Sequence, residues 1–144
     1  YFSVNIISYK MNTFLDSSNS FKIEPTRNTP YVSYSSDVSL LEIKGVSSPN
    51  NTPVFYAPII TFIENLSAHS ISHITVRIAL LYFNSSSAKA LFKIFESLKA
   101  SEESIPISID WVCDEDDEDM IESIQDIEDL LDIDINTIIE KYEA

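Results

Sequence analysis

The chain has 144 residues, 44% of them apolar and 22% charged, with a formal charge of −14 at neutral pH; this suits one globular domain with its own core. Residues 101–144 hold seventeen of the twenty-three acids and one base, Lys141, while the first hundred hold eight bases and six acids. That balance argues against nucleic acid and anionic membrane as partners, and no apolar run approaches the roughly 18 residues needed to span a bilayer.

The single cysteine, Cys113, excludes an internal disulfide, and with only His69 and His73 beside it a Cys/His zinc site cannot be assembled. A reducing cytoplasm fits this usage, and no cofactor is called for.

Residues 1–10 precede Met11 and read as an extension, since Val4, Ile6 and Ile7 make too short an apolar stretch for a signal peptide. Residues 1–22 are expected to be an irregular arm and residues 23–144 one α/β domain; up to Pro30 the Ser, Asn and Thr-rich stretch keeps no sustained period. Residues 31–34 and 40–46 then predict two strands joined by a polar turn, an antiparallel hairpin. Gly45, the only glycine, is a candidate for positive φ.

Thr52 as cap and Pro53 at the first helical position predict a helix to about Leu66. Its apolar face is Phe55, Ile59, Phe62, Ile63 and Leu66, with a bend or loosened first turn at Pro58. From His73 to Phe83 one alternate set is apolar throughout and the other becomes so at Ala79, which predicts a central strand covered on both faces. The next helix, 86–100, buries Ala88, Leu91, Phe92, Phe95 and Leu98 and exposes Lys89, Lys93, Glu96 and Lys99. Ile105, Ile107, Ile109 and Trp111 predict another strand, and Met120, Ile124, Ile127 and Leu131 a third helix over 118–131. The tail fits two patterns: Ile133, Ile135, Thr137 and Ile139 alternate as in a strand, while Ile135, Ile138, Ile139 and Tyr142 suit a short helix. An edge strand is the preferred reading. The order ββαβαβα, with that final strand, predicts a mixed, mainly parallel sheet of four to five strands with right-handed helical crossovers.

The chemistry concentrates where the long strand meets its helix, Leu80-Leu81-Tyr82-Phe83-Asn84-Ser85-Ser86-Ser87-Ala88-Lys89. Unpaired N–H groups and the positive end of the macrodipole favour an anion there. Asn and Ser are also the preferred N-caps, so plain capping is the competing reading. The acidic run 114–119 could attract Mg²⁺ or Ca²⁺, yet it has neither the spacing nor the glycine of an EF-hand loop and reads as a solvated turn that complements the following helix dipole. No nucleophile elbow, P-loop or dinucleotide fingerprint occurs. Cys113 reads as a core thiol.

Pro25-Thr26-Arg27-Asn28-Thr29-Pro30, the turn Gly45-Val46-Ser47-Ser48-Pro49-Asn50-Asn51, Phe55-Tyr56-Ala57-Pro58-Ile59, Tyr82-Phe83-Asn84-Ser85-Ser86-Ser87 and Trp111-Val112-Cys113-Asp114-Glu115-Asp116 occur in an order that resembles the SiaC family of bacterial regulatory phosphoproteins over about residues 22–140. The resemblance implies an α/β fold similar to anti-sigma-factor antagonists (STAS-like). It further implies a non-catalytic partner switch in cyclic-di-GMP signalling and biofilm control. A protein kinase would phosphorylate the hydroxyl just after Asn84, namely Ser85, where a known member of the family has Thr. A PP2C-type phosphatase would remove the phosphate, and the unmodified form would bind and activate a diguanylate cyclase. Asn84, Ser86, Ser87 and Lys89 would then meet the partner around the phosphosite. The alternatives are a metal-dependent enzyme using residues 114–119 and an interaction module without modification.

Overall fold

The computed structural model describes residues 14–141; the expected extension at residues 1–10 and Tyr142 lie outside them. Six strands, β1 (Phe21–Ile23), β2 (Tyr31–Ser35), β3 (Leu40–Ser47), β4 (Ile74–Phe83), β5 (Ile107–Asp114) and β6 (Asn136–Glu140), pair in sequential order in one sheet. The first two pairings are antiparallel and the last three parallel. The parallel strands are joined through α1 (Thr52–Glu64), α2 (Ser85–Ser101) and α3 (Glu118–Leu131). When strands follow one another in space and every crossover has the preferred right hand, the connecting helices fall on the same face.

Burial follows that geometry. Val32 pairs with Ile43, Leu41 with Val76, Ile43 with Ile78 and Ile78 with Trp111, and all are buried in one core with Ile59, Phe62, Ile63, Leu91, Ile94, Phe95 and Ile124 from the helices. On the other face of β4, Thr75, Arg77 and Ala79 are half-buried, and Leu81 is 60% exposed. The strand is therefore interior to the sheet but covered on one face only. The apolar switch at Ala79, Leu81 and Phe83 marks the end of the strand near the junction, not a second layer.

Other expectations are corrected by side-chain direction. The sheet has six strands, not four to five, because Phe21–Ile23 in the expected irregular stretch pairs with β2. Phe21 anchors it, with its ring 5.2 Å from Phe62 and 4.2 Å from Phe14. The cap of α1 is Asn51, whose side chain accepts from the Val54 N–H, and not Thr52. In α1 Tyr56 is fully buried whereas Phe55 is only partly so, and in α2 Ile94 fills the place expected of Ala88 and Phe92. The helix continues through Pro58. The tail is a strand at the sheet edge, the preferred of its two readings, and runs parallel to β5.

Gly45 has φ +113° where the β3–β4 register shifts by one residue. A Cβ there would come no closer than 3.9 Å to Pro30 Cα, so space does not forbid a side chain but the backbone conformation does. Gly45→Ala is expected to cost about 1–2 kcal/mol from the left-handed conformation alone. Urea unfolding measures it, and an unchanged midpoint would show that the bulge relaxes freely.

Candidate functional site

The parallel ends of β3 and β4 place Ser47 opposite Phe83, and the Asn84 N–H donates to the Ser47 carbonyl at 3.0 Å. The helix α2 starts on the next residue. Asn84 is its cap: Oδ1 accepts from the Ser87 N–H at 2.9 Å and from Ser86 Oγ at 3.2 Å. This satisfies one of the amides that a helix start leaves without an intrahelical partner.

The three serines that follow have separate places. Ser87 is fully buried; its Oγ donates to the Ser47 carbonyl at 2.9 Å and accepts from Ser47 Oγ at 2.8 Å. Ser47 Oγ in turn lies 2.6 Å from the Tyr56 hydroxyl. Burial pushes the Tyr56 phenol up, against a smaller opposite effect of the Ser47 bond, so the phenol stays protonated. Ser86 Oγ meets Thr52 Oγ1 at 2.8 Å, which ties the starts of α1 and α2 together. Ser85 is exposed, and its hydroxyl takes part in none of the hydrogen bonds among the described residues. Lys89 stands one helical turn beyond Ser85 and is exposed.

Of the residues expected to surround the phosphosite, Asn84, Ser86 and Lys89 lie at or near the surface. Ser87 is corrected: its hydroxyl is locked inside the fold and cannot contact a partner. Ser47 and Tyr56, on whose hydroxyls this net depends, were not singled out by the sequence reading, although Ser47 belongs to the distinctive Gly45–Asn51 turn.

The acidic run works locally. Asp114 Oδ1 accepts from the Asp116 N–H at 2.8 Å, and Asp117 caps α3 by accepting from the Met120 N–H at 3.1 Å. Glu118 and Asp119 occupy the first turn, where negative charge complements the dipole. Among the described residues no group of three or more His, Cys, Asp or Glu is placed to hold a metal ion. Calorimetric titration with Mg²⁺ or Ca²⁺ is therefore expected to show only weak, nonspecific binding. A stoichiometric site of micromolar affinity, about −8 kcal/mol, would overturn that and favour the metal-enzyme reading.

Cys113 is buried at the end of β5, where burial first and then Asp117 and Asp114 push the thiol up, so it is a poor nucleophile. His69 stacks on Phe62 with ring centroids 5.5 Å apart, and burial lowers it. No helix among the described residues is long and apolar enough to cross a membrane.

A mixed sheet covered by helices on one face, with a hydroxyl-rich strand-to-helix junction at its parallel end, defines a two-layer α/β domain. The SiaC family model, described as a regulatory phosphoprotein, matches residues 23–140. The chain belongs to the SiaC family. Its fold is that of SiaC of Pseudomonas aeruginosa, 23% identical, with 85% of this chain and 98% of that one covered and a TM-score of 0.73. A chain in the crystal structure of diguanylate cyclase SiaD in complex with its activator SiaC, from the same organism, matches at 24% identity, 85% and 99% coverage and a TM-score of 0.74. An uncharacterized protein of Pseudomonas aeruginosa strain UCBPP-PA14 is 29% identical over 90 residues, 62% of this chain and 71% of that protein.

Proposed function

We propose that the protein is a non-catalytic partner switch whose effector is a diguanylate cyclase and whose control is phosphorylation of Ser85. The observation that carries the reading is the division of labour at the junction: Asn84 caps, Ser87 is buried, Ser86 is bonded, and Ser85 alone offers an exposed, unbonded hydroxyl. Membership of a family of regulatory phosphoproteins gives that hydroxyl a use. The cyclase as effector is supported by the likeness to the chain solved with SiaD.

In the cycle a protein kinase moves a phosphoryl group from a nucleoside triphosphate to Ser85 Oγ. The oxygen–phosphorus bond to the nucleoside diphosphate breaks, the new one forms, and the hydroxyl proton leaves. A PP2C-type phosphatase uses water to return serine and inorganic phosphate. The phosphate carries about −1.5 to −2 charge, which the free amides at the start of α2 tolerate and a docked apolar or acidic partner surface does not. Phosphopeptide mapping after incubation with the cognate kinase, followed by cyclase binding with both forms, tests the reading. Phosphate found only on Ser86 or elsewhere would move the site, and equal affinity of both forms would refute the switch.

A further inference from the structure

We propose that the groove between α1 and α2 seats an acidic, apolar-faced helical segment of the effector, and that a phosphate on Ser85 evicts this segment by taking Lys89. The proposal rests on Ser85 being the phosphoacceptor. The groove holds about 430 Å³ between the apolar surfaces of Pro53, Ala57, Ile60 and Ala90, with Lys89 and Lys93 beside them. The chain has twenty-three acids, yet among the described residues no carboxylate lines it.

Both lysines are exposed, and neither enters an ion pair among the described residues; Arg27 and Lys44 share that lack, while Lys22, Arg77, Lys99 and Lys141 each face a carboxylate. Two like charges four residues apart on a helix repel one another. Glu96, three residues beyond Lys93, is the one carboxylate in α2 and makes no ion pair among the described residues, so both lysines are open to anions from outside. Carboxylates would answer the lysines and an apolar helix face would answer the groove, which is the helix-in-groove mode with electrostatic complementarity.

The same geometry explains release. Ser86 and Thr52 line one end of the groove, and Ser85 adjoins them. Ser85 and Lys89 are an i, i+4 pair, the spacing at which a side chain anion and a lysine meet on a helix. A phosphate on Ser85 draws Lys89 to itself across one turn and repels incoming carboxylates, so one charge removes an attraction and adds a repulsion.

The test places phosphoserine at position 85 during translation, so that no kinase enters. The probe is a synthetic amphipathic helical peptide with leucines on one face flanked by glutamates; its control carries lysines instead. With unmodified protein the acidic peptide is expected to shift the amide resonances of Ala57, Ile60, Lys89 and Lys93, and the basic control to leave them in place. Phosphoserine should weaken acidic-peptide binding at least about tenfold, and in Lys89→Gln this difference should shrink to about threefold, the part left by direct repulsion between phosphate and carboxylates. Lys93→Gln should weaken binding yet keep the sensitivity to phosphate. Absence of binding, equal binding of both peptides, shifts elsewhere, or a full phosphate effect in Lys89→Gln would overturn the proposal. None of those results bears on whether a kinase uses Ser85, which mapping decides separately.

Discussion

Ser85→Ala is expected to abolish phosphate uptake at the junction and to hold the effector constitutively, with no loss of fold. Stability should change by no more than about 0.5 kcal/mol, as at other exposed positions, because the cap belongs to Asn84 and alanine is the better helix former. In the wild-type protein phosphorylation should weaken effector binding at least about tenfold, or about 1.4 kcal/mol. Ser85→Asp should weaken it less, since one carboxylate has about half the charge of the phosphate and fewer acceptor oxygens. Titration calorimetry with the cyclase on the four forms, together with mass spectrometry after kinase treatment, measures both effects. Phosphate on Ser85→Ala at the wild-type level would remove Ser85 from the mechanism.

Leu91→Ala is expected to lose about 2–5 kcal/mol of stability, the range for truncating a leucine that the surroundings cannot refill. Leu91 is 1% exposed and belongs to the core formed by α1, α2 and the helix-covered sheet face. Because α1 and α2 share that face, the cavity lies between layers already fixed by the fully buried Ile59, Phe62, Ile94 and Phe95. Lys93→Ala, two residues along and exposed, should stay within about 0.5 kcal/mol. Urea unfolding of both variants checks the pair, and a loss below 0.5 kcal/mol for Leu91→Ala would show that this helix face is not core.

The residues that carried the family resemblance acquire distinct physical roles in the structure. Gly45 adopts φ +113° at a register shift, Ser47 is the hub of a buried hydroxyl net, and Asn51 caps α1. A turn that reads as one motif is thus three solutions to one problem: ending β3 and starting α1 beside the start of α2. At the other half of the junction, Asn84, Ser85, Ser86 and Ser87 look equivalent in sequence because each can cap. The helical turn separates them: the residue at the third position of α2 points to β3 and is buried, while the residue at the first position faces solvent.

Periodicity determined the order of the elements from residue 31 to residue 131, α1 and α2 with most of their apolar faces, and the junction at Asn84, because these depend on spacings of two and 3.6 residues that local sequence records, whereas the tail fitted both spacings. The pairing of Phe21–Ile23 with β2, the choice of Tyr56 over Phe55 as the buried ring, and the coverage of β4 on a single face were decided by tertiary structure. A three-residue strand has too short a period to register, and neighbouring aromatics differ only in which way a helix turns them. A sheet face is open or closed according to the side on which successive crossovers fall. The separation of Ser85 from Ser87 has the same origin, since only the approach of Ser47 and Tyr56 from β3 and α1 draws one hydroxyl inward and leaves the other free.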